Sequence, residues 1–245
     1  MIPLTVTNQK GGVGKTTVAF HLSCYCSESK RTLVLDLDPQ GNLTTRLSQS
    51  LSSMSNVARA FEGGSPEPMR VRDRLDLIGT DLTLSIHETK QAFETMFVAR
   101  ELLQTLDYDV CIIDSPPNLG AFLTNALIAA RFVIIPVVCD AFNPAALSGL
   151  FQRVQVIRDK ANPQLQVGGI VISNARENTN YTRDFIARLR GEYDAAIFNT
   201  VLPTSVKVLE AVANKVPVWE YAQGTKPAEA YRAFCMEVSS LWQTQ

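Results

Sequence analysis

The chain has 245 residues, of which 46% are hydrophobic and 19% are charged, and its formal net charge is −1. These values are typical of a soluble globular protein, and the small net charge argues against a general attraction to nucleic acid or anionic lipid. No apolar run is long enough to cross a membrane and no basic segment precedes the first apolar stretch, so we expect no membrane contact, no signal peptide and a cytoplasmic location.

A glycine-rich segment follows the first β-prone run, residues 2–7. It reads KGGVGKTT from Lys10 to Thr17, and helical spacing predicts a helix over residues 15–27 directly after it. A strand, a glycine-rich turn and a helix are the context of a phosphate-binding loop, in which backbone N–H groups and the helix N-terminus face the anion. The predicted nucleotide-binding residues are Gly11, Gly12, Val13, Gly14, Lys15, Thr16 and Thr17, with Lys15 on the β- and γ-phosphates and Thr16 on Mg²⁺.

The spacing departs from G-x-x-x-x-G-K-[ST], because Gln9 or Lys10 stands where the first glycine is expected. Because of this departure, an ordinary glycine-rich turn that is followed by a lysine by chance is an alternative interpretation of the segment. Two carboxylate motifs farther along the chain favour the phosphate loop.

The first of these motifs ends the second predicted strand, residues 32–37, and reads DLDPQGN from Asp36 to Asn42. Taken alone, Asp-Pro is a common turn opener and both aspartates fit that role. Beside a phosphate loop, one carboxylate can hold the water shell of Mg²⁺ and the other can orient the attacking water.

The second motif is CIIDSPP, an apolar strand that ends in Asp114, a candidate for the Mg²⁺ shell. We expect Ser115 or Asn118 to cap the helix that follows, so that Asp114 is not needed as a cap.

Buried strands alternate with amphipathic helices along the rest of the chain. We expect a helix from residue 42, an irregular region over 48–69 that holds a short helix and then an exposed loop, a strand at 75–79 and a helix over 84–106. Strands at 109–114, 132–138, 166–173 and 197–201 then alternate with helices at 119–130, 144–160, 182–191, 206–214 and 227–242. This order predicts one α/β domain over residues 1–245, with a doubly wound, mostly parallel sheet, helices on both faces and ligands at the carboxyl ends of the strands.

KGGVGKTT resembles the deviant Walker A motif of the ParA/MinD family of P-loop ATPases, and the similarity extends over essentially the whole chain. The resemblance implies an Mg²⁺-dependent ATPase in which Lys10 reaches the nucleotide of a partner subunit. It also implies catalytic roles for Lys10, Lys15 and Asp38, with Asp38 positioning water and Asp36 nearer the outer metal shell. The metal site would then comprise Thr16, Asp36 and Asp114.

The same resemblance implies base contacts near the ends of two later strands. Asn174 corresponds to the asparagine at the adenine edge, although an ordinary turn residue at a strand end fits equally well. Pro203 occupies the loop that flanks the base.

Other branches of the superfamily fit the sequence less well. The five cysteines form no C-x-x-C pair, which argues against iron–sulfur members. The last helix places Ala230, Tyr231, Phe234, Val238, Leu241 and Trp242 on one stripe. That stripe is typical of a helix packed on the core rather than of a MinD-like membrane helix.

The ParA branch implies an ATP-dependent homodimer, non-specific DNA binding on the nucleoid and a ParB-like partner protein that stimulates hydrolysis. Arg176 to Arg232 contains eight basic and seven acidic residues, so a mixed, solvated surface is an open alternative to a DNA site. Positioning of a protein cargo and a biosynthetic enzyme of the dethiobiotin synthetase type are further alternatives. The candidate DNA contacts are Arg183, Arg188, Arg190, Lys207, Lys215 and Lys226.

Overall fold

The computed structural model describes residues 1–88, 93–139, 142–175, 180–193 and 196–242, and these residues form one mixed sheet between two layers of helices. The strands are β1 (Ile2–Val6), β2 (Thr32–Asp36), β3 (Met69–Arg72), β4 (Leu75–Ile78), β5 (Val110–Asp114), β6 (Phe132–Val137), β7 (Gln166–Ala175) and β8 (Ile197–Pro203). The helices are α1 (Lys15–Ser27), α2 (Asn42–Leu47), α3 (Ala58–Phe61), α4 (Val98–Gln104), α5 (Ala121–Ala129), α6 (Pro144–Lys160), α7 (Asn180–Tyr193), α8 (Val206–Ala213), α9 (Val218–Tyr221) and α10 (Lys226–Ser240).

The strand order is β3-β4-β2-β5-β1-β6-β7-β8, and every pair is parallel except β3 with β4. The predicted fold class is therefore confirmed. Registration of β2 on β5 places Asp36 opposite Asp114, and β1 on β5 places Val6 opposite Asp114. The two carboxylate motifs consequently meet at one edge of the sheet, next to the loop that follows β1.

Alternate side chains of each central strand enter cores on opposite faces of the sheet. Val34 packs under α1, α8 and α10, whereas Leu33 and Leu35 pack under α3, α4 and α5. A further core on that second face joins α5, α6 and α7 to β6 and β7. Burial on both faces explains why these strands read as continuous apolar runs.

The predicted helix over residues 84–106 is wrong. The described part of that region contains a 3₁₀ helix at Leu82–His87, another at Phe93–Met96, and then α4; residues 89–92 lie outside the description. Asn125 of α5 explains the break. Its side chain donates to the carbonyl of Thr95 (2.7 Å) and accepts from the N–H of Ala99 (3.1 Å), the two groups that a continuous helix would bond to each other.

Three smaller differences also arise from tertiary packing. Strand β3 and helix α9 were not predicted, whereas α3 corresponds to the short helix expected within residues 48–69. The expected cap of α5 is also wrong, because its N-cap is Gly120. Ser115 instead donates to the carbonyl of Val6 (3.2 Å), and Asn118 donates to Glu88.

Helix α10 lies on the core as predicted. Tyr231, Phe234 and Val238 are at most 2% exposed, and Leu241 and Trp242 pack against the same cluster. The five cysteines are buried and reduced. In the described residues no helix combines the length and apolar character needed to cross a bilayer.

His21 links α1 to the C-terminal helices. Its Nδ1 donates to the carbonyl of Thr17 (2.8 Å), its Nε2 accepts from the N–H of Val218 (3.2 Å), and its ring packs on Tyr231. Both ring nitrogens are thus satisfied only in the neutral form. Burial lowers the pKa of His21 to about 4, against an ordinary value of 6.5.

The free energy of unfolding should therefore fall by up to about 3 kcal/mol between pH 6.5 and 4, because the unfolded chain binds a proton there that folded His21 does not. Urea unfolding of the wild type and of His21→Gln across this range measures the effect as a difference. The buried acids of the site titrate in both proteins, so their contributions cancel when the two free energies of unfolding are subtracted. A constant difference between the two proteins across that range would contradict the assignment.

Candidate functional site

The glycine-rich segment forms an open loop between β1 and α1. Gly14 has φ 85°, which suits glycine, and the first turn of α1 has no side-chain cap. A Cβ built at Gly11 or Gly12 would meet no atom within 4 Å, so the space above the loop is free. The unbonded N–H groups of the helix start therefore face an open region that fits phosphate oxygens.

Lys15 is buried in this loop, with 7% of its surface exposed. Its Nζ donates to the carbonyl of Lys10 at 3.0 Å. Burial lowers the pKa of Lys15, while the nearby charges of Asp114 and Asp38 oppose the shift. The ammonium thus lies between the loop and two carboxylates, where it is directed at the phosphate region.

Thr16 and Asp114 form the metal-binding candidate. Thr16 Oγ1 donates to Asp114 Oδ2 at 2.8 Å, and Asp114 Oδ1 is buried without a hydrogen-bond partner among the described atoms. Burial, with the charge of Asp36, raises the pKa of Asp114 well above its usual range. A hydroxyl and an unsatisfied carboxylate oxygen in a crowded acidic site fit Mg²⁺ and its water shell.

Asp36 is fully buried and both of its oxygens accept hydrogen bonds. Oδ2 accepts from the N–H and the hydroxyl of Thr44 (2.9 and 2.7 Å), and Oδ1 accepts from the N–H of Asp38 (3.1 Å). Burial raises the pKa of Asp36 to about 6. Asp36 therefore positions the loop that carries Asp38, and its outer-shell role toward the metal stays a prediction.

Asp38 has the turn role that the sequence left open, and its role toward the attacking water stays a prediction. Its Oδ1 accepts from the N–H of Gln40 (3.1 Å) and its carbonyl from the N–H of Gly41 (2.8 Å), so it does form a turn. Only glycine fits at residue 41, because φ is 60° and a Cβ would lie 2.8 Å from the carbonyl oxygen of Thr80. The turn directs Asp38 toward the same cleft as Lys15.

The cleft has a volume of about 690 Å³ and brings most of the predicted residues together. Asn174 Nδ2 donates to the carbonyl of Gly12 at 3.4 Å, and Asn174 has φ 49°, a left-handed conformation that asparagine tolerates. The lining includes Gly11, Gly12, Gly14, Lys15, Thr16, Thr17, Asp38, Gln40, Asn174, Pro203 and the start of α8.

Four residues predicted for the nucleotide and metal sites do not line this cleft: Asp36 and Asp114, which are fully buried, and Val13 and Lys10. Val13 is buried in the loop, and its carbonyl accepts from Ser173 Oγ at 2.7 Å. Lys10 is exposed and lines a separate small depression beside Phe142 and Asn143, at the start of α6. Lys10 thus lies outside the phosphate cleft of its own chain.

The basic candidates for DNA binding do not form one patch. Helix α7, which carries Arg183, Arg188 and Arg190, packs on one face of the sheet, whereas α8 and α10 pack on the other. Arg190 reaches the edge between them, where it donates to the carbonyl of Asn199 in β8 (3.2 Å).

Several of these side chains already have partners. Arg188 pairs with Glu192 and Lys207 with Glu210, both on the surface. The ammonium of Lys215 donates to the carbonyls of Thr45 (2.6 Å) and Ser48 (2.9 Å). Lys215 therefore links the end of α8 to the end of α2, and its role as a DNA contact stays a prediction. Lys226 is exposed at the start of α10.

Sequence reasoning missed Thr44, Thr80 and Ser173. The Thr44 hydroxyl donates to Asp36 and accepts from the N–H of Thr80 at 3.0 Å, which joins α2, β2 and the end of β4. Ser173 donates to the carbonyls of Val13 (2.7 Å) and Val137 (3.1 Å). No local pattern marks these residues, because their partners are distant in sequence.

Comparisons with known proteins agree with this geometry. The AAA_31 family model, described as an AAA domain, matches residues 2–167. The chromosome-partitioning ATPase Soj of Thermus thermophilus is 32% identical over 96% of this chain and 94% of its own. The chromosome partitioning protein ParA of Myxococcus xanthus is 30% identical over 96% of this chain and 87% of its own.

The chain belongs to the ParA family of P-loop ATPases. Among solved structures, cobyrinic acid a,c-diamide synthase from Mycobacterium smegmatis, with a bound ATP analog and magnesium, has a TM-score of 0.85 and 26% identity. The alignment covers all of this chain and 96% of that one. The predicted ATPase class is confirmed. The predicted cofactors, ATP and Mg²⁺, agree with the ATP analog and magnesium bound in that solved structure.

Thr44→Val should reduce the turnover number about tenfold or more, because it removes the hydroxyl that orients Asp36 and hence Asp38. It should also lower the free energy of unfolding by about 1–3 kcal/mol, since Asp36 and the N–H of Thr80 lose a buried partner. ATPase kinetics and urea unfolding measure the two effects.

Thr45→Val is the matched control, because Thr45 lies on the same helix with an exposed side chain whose hydroxyl donates to the carbonyl of Asn42 (3.1 Å). Its stability should change by about 0.5 kcal/mol or less. Equal losses of turnover in the two variants would contradict the positioning role of Thr44.

Proposed function

We propose that this protein is an ATP-driven switch of the partition type, in which Mg·ATP binding closes two subunits on each other. The dimer binds DNA without sequence preference, and a ParB-like partner protein triggers hydrolysis and release. The observation that carries the proposal is the position of Lys10, outside its own cleft and on the surface beside the phosphate loop. The partition roles named for the relatives from Thermus and Myxococcus support it.

The phosphate loop and Lys15 would bind the triphosphate. Thr16 and Asp114 would hold Mg²⁺, which on binding neutralises charge on the β- and γ-phosphates. Lys15 supplies one positive charge from within the chain, and Lys10 of a second subunit would supply another. Closure thus adds a charge that stabilises the transferred phosphoryl group, so hydrolysis depends on dimerisation.

Asp38 is the residue that we assign to the attacking water. Its carboxylate faces the cleft on a turn fixed by Asp36 and Gly41, at the edge where Lys15 and Asp114 meet. Its removal should slow hydrolysis while nucleotide binding persists, since the loop amides and Lys15 remain.

DNA binding would use basic side chains on both sides of the β8 edge. Arg183 and Arg188 on α7 and Lys207 and Lys226 on α8 and α10 remain candidates, with Arg190 at the edge itself. A two-fold dimer doubles this modest charge, and each phosphate contact adds to the salt dependence of binding. Association with the nucleoid follows from that non-specific contact.

Lys15→Ala and Lys10→Ala should each give a monomer in the presence of Mg·ATP, whereas Asp38→Ala should give a stable dimer that stays on DNA. The lysine variants lose charge on the triphosphate, and the aspartate variant loses hydrolysis. Size-exclusion chromatography with light scattering, followed by nucleotide-binding measurements, separates the cases. Lys10→Ala should retain ATP binding, because Lys10 lies outside its own cleft.

An Asp38→Ala protein that is monomeric with ATP would count against the switch. So would a Lys10→Ala protein that dimerises as well as the wild type.

Lys207→Glu should weaken ATP-dependent DNA binding by about tenfold or more and lower the slope of affinity against salt. Lys160→Glu, at the end of α6, reproduces the charge change on an exposed helix outside the proposed surface. Gel-shift assays on unrelated duplexes at several salt concentrations test the difference. Equal behaviour of the two variants would remove α8 from the DNA surface.

A biosynthetic role is the second candidate, favoured by the name of the solved Mycobacterium smegmatis relative. ATP turnover that requires cobyrinic acid, and that DNA leaves unchanged, would establish it in place of the partition role.

A further inference from the structure

A second cavity lies at the opposite end of the sheet from the nucleotide cleft. Its volume is about 380 Å³, and its lining includes Pro3 at the start of β1 and Arg131, which directly precedes β6. The phosphate loop follows the other end of β1, at Val6. Strand β1 separates the two places by roughly 13 Å, since each residue adds about 3.3 Å. The cavity is therefore distinct from the cleft, and none of the roles assigned above uses it.

Part of the lining is apolar, because two cores on the same face of the sheet meet at this cavity. Leu103 and Ala129 belong to the core under α3, α4 and α5, whereas Ile128 belongs to the core of α5, α6 and α7. All three are at most 8% exposed, and Leu106 lies beside them in the lining. An apolar group that enters the cavity would thus contact buried side chains, as in most small-molecule sites.

The charge of the cavity comes from two half-buried arginines, Arg100 in α4 and Arg131. The guanidinium carbon of Arg100 lies 4.6 Å from the ring centroid of Phe97, and that of Arg131 lies 5.5 Å from the ring centroid of Phe132. Contact with an aromatic face orients a guanidinium and leaves its N–H donors available. Arg100 uses Nη1 on the carbonyl of Ala161 (3.2 Å), whereas the Arg131 side chain donates no hydrogen bond within the described residues.

These two charges have no balancing carboxylate among the described residues that line the cavity. That lining contains neither aspartate nor glutamate, and neither Arg100 nor Arg131 forms an ion pair in the described part of the chain. Arg31, which precedes β2 at the same end of the sheet, instead pairs with Asp107 at 2.6 Å. The two cavity arginines thus differ from an ordinary surface arginine, because their positive charge stays uncompensated.

The ends of two helices also reach the cavity, and their carbonyl groups already have donors. The last carbonyls of a helix carry partial negative charge and would repel an anion. Asn162 Nδ2 donates to the carbonyls of Leu127 (3.0 Å) and Ala130 (2.6 Å) at the end of α5. Arg100 takes the carbonyl of Ala161, the residue that caps α6. The field that remains at the cavity is positive.

We propose that this cavity binds a small molecule that carries a carboxylate or phosphate group on an apolar body. Arg131 binds the oxyanion with its free guanidinium fork, and the remaining donors of Arg100 add a second positive charge. The apolar body lies against Leu103, Leu106 and Ile128. The volume is within the range of about 300–1,000 Å³ that is usual for such sites. This inference does not rest on the proposed function, because neither dimerisation nor DNA binding enters it.

Isothermal titration calorimetry on the full chain tests the site, with Mg·ADP in excess so that the nucleotide cleft is filled. Octanoate, octyl phosphate and octanol have alkyl chains of the same length but different head groups. Acetate and inorganic phosphate present the oxyanion without the apolar body. Octanoate or octyl phosphate should bind, and the tighter of the two identifies the anionic group. The other three probes should bind about tenfold or more weakly, because each lacks one part of the interaction.

Arg131→Gln should weaken the anionic probe by about tenfold or more, because charge-assisted hydrogen bonds are lost. Arg131→Lys keeps the charge but not the planar fork, so its affinity should lie between those of Arg131→Gln and the wild type. The control Arg158→Gln changes a half-buried arginine of α6 that donates to Gln155 and is not part of the lining. The control should bind as the wild type does. All three variants should unfold at the urea concentration of the wild type and keep basal ATPase within about twofold.

Four outcomes would overturn the site. Neither anionic probe binds, or octanol binds as tightly as the anions, or Arg131→Gln binds them as tightly as Arg158→Gln. The fourth is that binding occurs only when Mg·ADP is omitted, which would place the probe in the nucleotide cleft.

Discussion

Three carboxylates and one ammonium share the edge of the sheet where β2 and β5 end. Asp36 and Asp114 are opposite each other in register and are fully buried, and Lys15 lies beside Asp114 and Asp38. Burial and repulsion between neighbouring carboxylates raise the pKa values of Asp36 and Asp114. The ionised forms of these acids are therefore unfavourable in the folded chain without a bound cation. A divalent cation would compensate the charge of the carboxylates, and a triphosphate would pair with Lys15. The charges of the site are therefore complementary to Mg·ATP.

The site is built so that each acid has a separate task. Asp36 accepts hydrogen bonds from the backbone and from Thr44 with both oxygens, and it therefore positions the turn that carries Asp38. Asp114 bonds Thr16 with one oxygen and leaves the other unsatisfied. Asp38, carried by the turn, faces the cleft. The three aspartates at one edge thus differ in their hydrogen-bond partners, and this difference is the basis of the separate roles that we propose for them.

In the region between β4 and α4, side-chain hydrogen bonds also determine the backbone structure away from the cleft. Asn125 interrupts a helical pattern by taking the hydrogen bonds of Thr95 and Ala99, and shorter 3₁₀ helices precede α4. One of them presents Leu82 and Ile86 to solvent while its ends contact the two carboxylate loops. A regular helix over this stretch would bury its apolar face on the core.

Much of this protein was determined by the sequence itself. The phosphate loop, the two aspartate motifs and the order of buried strands predicted the sheet, its ligand edge, and the extents of α1 and α6. These features are local, since glycine conformation, apolar periodicity and acids at strand ends depend on residues that are close together in the sequence. Tertiary structure alone decided the rest. Thr44, Asn125 and Lys215 act on partners 8, 26 and 170 residues away, and only the folded chain determines which distant side chain satisfies a buried backbone or carboxylate group.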